Sequence, residues 1–305
     1  MRAVPTVDTP VSDLHQPVLR DEVVHWLTPV PEGAWIVDGT VGLGGHASAL
    51  LEHTVGSRLL GLDRDRASLD LAQQRLAPFG SRVVLRQADY RDLAAEADTC
   101  GVEAAHAILL DLGLSSYQLL HAGRGFSFQS DERLDMRFDT RQAVTAADLL
   151  RRTPEPELAR LLVTYGDEPA ARRIARRLVA ARARAPITTT RALAELVTAA
   201  IPPHRRPRRI HPATRTFQAL RIAVNDELGS LEAALPQAAQ LLASRGRFGV
   251  IAFHSLEDRL VKRAFRRFAG EGWRLHTPKP VRPSADEVRT NPRARSATLR
   301  VLERG

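Results

Sequence analysis

Four short apolar runs in the first third of the chain each lead to an aspartate, and helical patterns separate them. The aspartates at the ends of these runs are Asp38, Asp63, Asp89 and Asp111. In open α/β sheets the carboxyl ends of the strands line the ligand crevice. Acids scattered over a surface would not keep this phase with the strands. The pattern therefore predicts an α/β fold with a binding site along one edge of the sheet.

A glycine-rich turn follows the first run, and a helical pattern begins after it at Ala47. Glycines permit a tight turn and a close backbone approach to a nucleotide-like ligand. The spacing D-G-x-x-G-x-G-G differs from G-x-G-x-x-G and favours an adenosyl cofactor over a dinucleotide. Asp63 comes 19 residues after Gly44, close to the ~20 expected of an acid that binds ribose hydroxyls. The alternatives are a plain structural turn for the glycines and a helix N-cap role for Asp63 ahead of residues 66–76. Ribose binding and helix capping can both hold if Asp63 and Asp65 divide these roles.

The positive charge of the chain is concentrated in one segment. The net charge is +9, and residues 171–215 contain twelve arginines and one acid, Glu195. Clustered arginine is typical of proteins that bind a polyanion, although an arginine-rich solvated surface is the alternative. The candidate RNA-binding residues are Arg172, Arg173, Arg176, Arg177, Arg205, Arg206, Arg208 and Arg209.

Several classes of protein are disfavoured by composition. No apolar run approaches the roughly 18 residues of a membrane span, and the first 13 residues lack the apolar core of a signal peptide. The single Cys100 excludes an internal disulfide, and the cytoplasm is the expected location. His254, Glu257 and Asp258 lack a further His or Cys partner, and capping by Ser255 explains their motif, so we expect no metal.

The spacing of strand and helix signals changes along the chain. Strand signals stop near residue 130 and return at 247–253 and 298–302, with helical patterns between them. We predict a first sheet part over residues 1–124, an inserted helical RNA-recognition domain over 125–220 and a second sheet part over 221–305. Within the insert, Thr145 is a predicted N-cap of one helix and Gly166 a predicted C-cap of the next.

A resemblance to a known family becomes specific at residues 108–118, where a buried strand ends at Asp111 and a polar turn follows. The chain resembles the bacterial ribosomal RNA small subunit methyltransferase H family, with matching motifs over nearly its whole length. Tyr90 and Tyr117 depart from the family's usual phenylalanine and proline. The matching segments are 15–19, 38–46, 63–65, 110–116, 124–128, 134–137, 211–215, 217–221, 253–259 and 291–296.

The resemblance implies a Rossmann-like class I S-adenosylmethionine methyltransferase sheet with an inserted all-helical domain. It implies N4-methylation of a cytidine in 16S rRNA with S-adenosyl-L-methionine as cofactor. The expected partner is small-subunit ribosomal RNA within an assembled or nearly assembled subunit, and naked rRNA stays open as the substrate. A homodimer also stays open, and no membrane partner is expected. The cofactor-binding residues that the resemblance implies are Gly44, Gly45, His46, Asp63, Tyr90, Asp111 and Gln118.

Methylation of an exocyclic amine requires acceptors that hold its lone pair towards the methyl group. Asp111 and the carbonyls after it are candidates for this role, with Ser115 and Ser116 orienting the base. Phe126 and Phe128 either stack on an extruded base or seal the domain junction. An NAD-dependent oxidoreductase and a noncatalytic RNA-binding ribosome-assembly factor are the alternative functions.

Overall fold

The computed structural model of this chain describes residues 16–120 and 123–305, with the backbone alone of Ser116 and Leu120. His15, the first residue of the family motif, lies outside the described residues. Contacts divide the chain into two compact units, one of residues up to 116 with 228–305 and one of residues 117–227. The predicted insert, 125–220, is shorter at both ends than this second unit. At the second end, Asn225 belongs to the helical unit because its side-chain amide bonds with Met136 O and Phe138 N.

The first unit is built on a seven-stranded sheet with the order β3-β2-β1-β4-β5-β7-β6. Strands β1 to β5 are parallel, and β7 is antiparallel to both β5 and β6. The strands are β1 Trp35–Asp38, β2 Arg58–Asp63, β3 Val83–Gln87, β4 Ala105–Asp111, β5 Leu242–Ala252, β6 Trp273–Leu275 and β7 Thr298–Arg304. The strand order reverses direction between β1 and β4, and such switch points are where open α/β sheets bind ligands. The sheet confirms the predicted Rossmann-like fold class.

Helices cover both faces of this sheet and bury its apolar side chains in two clusters. One cluster includes Val37, Ile108 and Phe265, and the other includes Ile36, Leu50 and Leu109. Neighbouring residues of β1 and β4 thus face opposite clusters, as expected for strands buried on both sides. The helices of this unit are α1 Arg20–Leu27, α2 Gly45–Glu52, α3 Arg66–Leu76, α4 Leu93–Thr99, α12 Ser255–Gly270 and α13 Ala285–Thr290.

Helices are the regular elements of the second unit. They include α6 Ala146–Arg152, α7 Glu155–Gly166, α8 Ala171–Arg182, α9 Thr190–Ala200 and α10 Thr214–Asn225. Two further helices, α5 Ser116–Leu120 and α11 Glu227–Leu241, begin at the ends of this unit. Across residues 16–120 and 123–305, no helix is both long and apolar enough to cross a membrane.

The ends of two helices in this unit test the capping predictions. Thr145 and Asp148 form the predicted capping box at the start of α6. Helix α7 ends at Gly166, but its C-cap is the next residue, Asp167, in the left-handed region at φ 47°, so the C-cap predicted at Gly166 is wrong by one residue. Gly166 serves helix packing instead, since a Cβ there would lie 2.6 Å from the carbonyl oxygen of Arg215 in α10.

Candidate functional site

The glycine-rich turn between β1 and α2 is held against the neighbouring strands by its own backbone. Gly39 N donates to Leu109 O at 2.9 Å and Val41 N donates to Leu62 O at 2.8 Å. Gly44 caps α2 at φ 77°, a conformation that a side chain would strain. A Cβ at Gly45 would overlap the ring of Pro17. Glycines at these positions therefore give a close-packed loop whose backbone lies at the switch point of the sheet.

Asp63, at the end of β2, is fixed by two backbone donors. Gly42 N donates to its Oδ2 at 2.9 Å, and Asp65 N donates to its Oδ1 at 2.8 Å. Asp65 caps α3 by accepting a hydrogen bond from Ala67 N at 3.1 Å. The two acids thus divide the work, with Asp65 as the helix cap and Asp63 beside the glycine turn. This location fits a ribose-binding acid, and that role stays a prediction.

Asp38 and Thr40 form a link between the ends of β1 and β4 that the sequence analysis did not single out. Asp38 is 1% exposed, and its Oδ1 accepts a hydrogen bond from Thr40 N at 3.1 Å. The Thr40 hydroxyl accepts a hydrogen bond from Asp111 N at 2.6 Å. A threonine two residues after a strand-end aspartate is a sequence signal for such local bonding. Thr40 therefore positions the backbone at Asp111.

The buried carboxyl of Asp38 has an altered pKa. The pKa of Asp38 is raised to about 7, mainly by burial and also by the nearby carboxylates of Asp111 and Asp63, against the opposing effects of His46 and the Thr40 N–H. Three strand-end carboxylates therefore influence one another at this edge of the sheet, and perturbed pKa values of this kind are common at functional sites.

Asp111 meets His46 at the same edge. His46 lies in the first turn of α2 and is 5% exposed, and its Nε2 is 3.4 Å from Asp111 Oδ2. Among the described residues, Asp111 Oδ1 and His46 Nδ1 are buried and have no hydrogen-bond partner. Buried polar atoms in native proteins are nearly always paired. The pair therefore has the character of a site that receives polar groups from a ligand.

Asp89, the third of the predicted strand-end carboxylates, is engaged within the protein. Its Oδ2 lies 3.0 Å from Arg91 Nε and 3.4 Å from Arg64 NH1, and it accepts a hydrogen bond from the Ser230 hydroxyl at 3.1 Å. This network fixes the turn that carries Tyr90. Tyr90 is half-buried, and its Cβ lies 3.2 Å from the position that a Cβ on Gly39 would take. Tyr90 is therefore next to the glycine turn, and its adenine contact stays a prediction.

The polar turn after β4 begins at a backbone bond, from Leu112 N to Ile251 O at 3.0 Å. Ser115 is half-buried, whereas the Ser116 side chain lies outside the described residues. Gln118 is buried in α5 and is grouped with the second unit. The roles of Ser115, Ser116 and Gln118 therefore stay predictions.

His254 and Glu257 form a capping box at the start of α12. His254 is the N-cap, with its Nδ1 accepting from Glu257 N at 3.4 Å, so the predicted capping role of Ser255 is wrong. The imidazole acts as the acceptor that serine usually supplies, and Glu257 Oε2 accepts a hydrogen bond from Phe253 N at 2.8 Å. The described part of the chain contains no group of three His, Cys, Asp or Glu side chains placed to hold a metal ion.

The arginines predicted to bind RNA are exposed on the second unit. On α8, Arg172, Arg173, Arg176 and Arg177 lie opposite the buried Ile174, Ala175 and Leu178. Arg176 alone of these four has an ion-pair partner among the described residues, Glu155 at 3.7 Å. The other four predicted residues lie between α9 and α10 and are exposed as well: Arg205, Arg206, Arg208 and Arg209.

Two features of this unit differ from the sequence interpretation. Arg206 donates to Ile201 O and Thr198 O, so its guanidinium also caps α9. Phe126 is buried and stacks on Phe138 at 5.4 Å between ring centroids. Phe128 stacks on His211 at 4.5 Å and contacts Phe217 edge-on at 5.1 Å. Both phenylalanines thus pack within the second unit, which gives them a structural role that the sequence could not separate from base stacking.

Comparisons with known proteins identify the family of this chain. Residues 12–305 match the MraW methylase family. The chain is 50% identical to the ribosomal RNA small subunit methyltransferase H of Syntrophotalea carbinolica, over 95% of this chain and 98% of the relative. It is 49% identical to the protein of that name from Thermotoga neapolitana, over 95% of each chain. These matches confirm the predicted family and enzyme class. The chain is a methyltransferase and belongs to the MraW methylase family.

Proposed function

We propose that this chain methylates N4 of a cytidine in small-subunit (16S) ribosomal RNA. The chain uses S-adenosyl-L-methionine as its methyl donor. The observation that carries the proposal is the buried Asp111–His46 pair, in which Asp111 Oδ1 and His46 Nδ1 have no hydrogen-bond partner among the described residues. The pair lies at the switch point of the sheet, beside a glycine turn. The relatives' names, ribosomal RNA small subunit methyltransferase H, supply the class of substrate.

The residues at this edge fit an adenosyl cofactor. A Cβ at Gly44 would crowd Leu76 and one at Gly45 would overlap Pro17, so the turn stays close-packed without side chains beside the site. Asp63 supplies a carboxylate for ribose hydroxyls, and Tyr90 supplies an aromatic face for the adenine. When bound, the cofactor supplies an electrophilic methyl group on a sulfonium that leaves as a neutral thioether. The protein contributes alignment and electrostatics.

The exocyclic amine of cytosine is a poor nucleophile because its lone pair is delocalised into the ring. An acceptor for one of its N–H groups holds the amine so that the lone pair faces the methyl group. Asp111 Oδ1 is that acceptor, and Thr40 fixes the backbone from which it extends. Ser115 and Ser116 orient the base, which must leave its stack to reach this edge.

RNA binding falls mainly to the arginines of the second unit, which contact phosphates rather than bases. The two alternative functions lack support, because membership of a methylase family favours neither an oxidoreductase nor a noncatalytic assembly factor. A subunit as the substrate, a homodimer and a cytoplasmic location stay predictions.

Mass mapping of modified rRNA tests the proposal. Small-subunit RNA that lacks the modification is incubated with the protein and methyl-labelled S-adenosylmethionine, both as naked RNA and within subunits. We expect one labelled N4-methylcytidine in at least one of the two substrates. The Asp111→Asn variant, which keeps the size of the side chain, is the matched control and should label far more slowly. Label on another base, or on neither substrate, would refute the proposal.

A further inference from the structure

Helix α12 in the first unit carries a basic face outside the arginine-rich segment. Val261, Phe265 and Phe268 are buried against the sheet. Lys262 on the same helix is half-buried. The exposed cations of the helix are Arg259, Arg263, Arg266 and Arg267. Because these positions follow the spacing i, i+4, i+7 and i+8, they form one stripe on the side away from the core.

These cations are poorly neutralised within the protein. The helix has two acids, of which Glu257 is buried and bonded to the backbone, and Asp258 pairs with Arg300 at 2.7 Å. Arg267 has a loose, exposed partner, Glu271 at 4.0 Å. Arg259, Arg263 and Arg266 have no hydrogen bond or ion pair with any residue in the described ranges. The stripe therefore presents net positive charge to solvent.

Repulsion between the cations of the stripe destabilises the helix, and a bound polyanion would offset this repulsion. Like charges four residues apart on a helix destabilise it by about 0.2–0.5 kcal/mol per pair. Two such pairs, Arg259 with Arg263 and Arg263 with Arg267, lie on the exposed stripe. The helix dipole favours cations in the last turn but not Arg259, which lies near the first turn. A ligand with regularly spaced negative charges would relieve both effects.

The helix that carries the stripe starts at the catalytic edge of the sheet, about one turn before Arg259. Strand β5 ends at Ala252, and α12 begins three residues later at Ser255. Ile251 of β5 pairs in register with Asp111 of β4. The start of α12 therefore lies at the edge that holds Asp111 and the glycine turn. From Arg259 to Arg266 the stripe covers about 10 Å of the helix axis.

We infer that the exposed face of α12 binds the phosphate backbone of the substrate RNA. It is an RNA-contact surface on the catalytic unit itself, in addition to the arginines of the second unit. The inference rests on the proposed function, because it takes RNA as the substrate of the site. The segment-wide charge of the sequence does not reveal this surface, because the residues outside 171–215 have a net charge of −2.

The test compares wild type with the triple variant Arg259→Gln, Arg263→Gln, Arg266→Gln. Binding to small-subunit RNA is measured by fluorescence anisotropy at several salt concentrations, and methylation in a single turnover at saturating RNA. We expect the Kd for RNA to rise about 5- to 50-fold and the slope of log K against log salt to fall by about 2–3, the loss of three phosphate contacts. S-adenosylmethionine affinity and the saturated rate should stay within about twofold of wild type, because no contact at Asp111 changes.

Two controls separate local contact from general charge. Lysines at the same three positions keep the charge and should retain most of the affinity and the salt slope. Arg58, Arg245 and Arg274 lie at the opposite edge of the sheet and are exposed. Their replacement by Gln removes the same net charge and should change the Kd less than about threefold.

Three results would overturn the inference. An unchanged Kd and salt slope in the triple variant would leave α12 as a solvated face, while wild-type methylation of rRNA would still support the proposed function. An equal loss in the Arg58, Arg245 and Arg274 variant would assign the effect to net charge. Weaker binding to assembled subunits with unchanged binding to naked RNA would assign the face to a protein partner. Absence of wild-type methylation would refute the proposed function instead.

Discussion

The carboxylates of the first unit and the arginines of the second unit are charged side chains in opposite environments. Asp38 is 1% exposed, and Asp63 accepts two backbone hydrogen bonds at 2.8 and 2.9 Å. Arg172, Arg173 and Arg177 are exposed and form no ion pair or hydrogen bond with the described residues. Burial and backbone hydrogen bonds therefore fix the positions of the acids, whereas only the helix backbone fixes the positions of these arginines.

This difference indicates how each region should respond to change. In the site, backbone donors fix the geometry and both Asp38 and His46 are buried, so one substitution disturbs several interactions at once. On the arginine surface, each charge is solvated and screened by salt, so its contribution is small and nearly additive. Substitutions should therefore have large, specific effects in the site and smaller, salt-dependent effects on the surface.

Asp111→Ala should give the largest effect. Loss of the acceptor that holds the amine should lower single-turnover methylation by about 100-fold or more at saturating cofactor and RNA, because alignment counts in the transition state. RNA affinity should stay within about twofold of wild type. Cofactor affinity is measured in parallel, so that the rates are compared at saturation. Near-normal turnover in Asp111→Ala would leave Asp111 as a cofactor contact or a structural residue.

Asp38→Asn should change how stability depends on pH. Burial is the main cause that raises the pKa of Asp38 in the folded chain to about 7, from the ordinary aspartate value of 3.8 that applies to an unfolded chain. Between these values the folded chain holds a proton that the unfolded chain has lost, so the free energy of unfolding falls as pH rises through this window. Relative to Asp38→Asn, wild type should lose about 2–3 kcal/mol between pH 5 and pH 8.

Urea unfolding followed by tryptophan fluorescence measures this difference, because all three tryptophans lie in the first unit: Trp26, Trp35 and Trp273. Asp148→Asn is a suitable control. Hydrogen bonds from Arg151 and Thr145 hold the pKa of Asp148 below its usual range, so its stabilisation is lost only as pH falls below about 4. Parallel pH curves for wild type and Asp38→Asn would show that Asp38 is ionised in the folded protein throughout this range.

Asp63→Ala should weaken S-adenosylmethionine binding by roughly 1–3 kcal/mol, since ribose hydroxyls would lose a charged acceptor. Isothermal calorimetry measures the affinity. Asp65→Ala is the matched control, because it removes the cap of α3 but leaves the backbone N–H that Asp63 accepts. The control should lose stability and keep its affinity. Equal affinities for wild type and a folded Asp63→Ala variant would exclude Asp63 from the cofactor site.

Local signals in the sequence predicted much of the fold and part of the site. The apolar runs marked the strands of the parallel sheet, and α3 spans the predicted residues 66–76. The glycine turn, Asp63 and Asp111 meet at one edge because parallel strands end there together. The short strand β6, Trp273–Leu275, was missed because three residues show no periodicity.

Contacts between residues far apart in sequence could not be predicted. Asp89 follows the end of β3 by two residues, whereas Asp63 ends β2, and the Asp89 carboxylate accepts a hydrogen bond from Ser230, 141 residues away. Phe128 meets His211 and Phe217 only after the helical unit folds. The hydrogen bond from Asp111 N to the Thr40 hydroxyl was also not predicted, because it joins the turn after β1 to the end of β4. Residue type alone does not show whether such a side chain contacts a distant part of the protein or a ligand.

Neutralising the exposed face of α8 should give the smallest effect. The variant Arg172→Gln, Arg173→Gln, Arg176→Gln, Arg177→Gln should bind small-subunit RNA about tenfold more weakly near 0.15 M salt, with the salt slope reduced by about 3. S-adenosylmethionine affinity should not change, because the cofactor residues of the first unit are untouched. Lysines at the same positions keep the charge and should preserve the slope, which separates phosphate contact from loss of helix stability. If the glutamine variant matches wild type in both affinity and slope, these arginines are a solvated surface, and charge density alone does not identify the RNA-binding face of this chain.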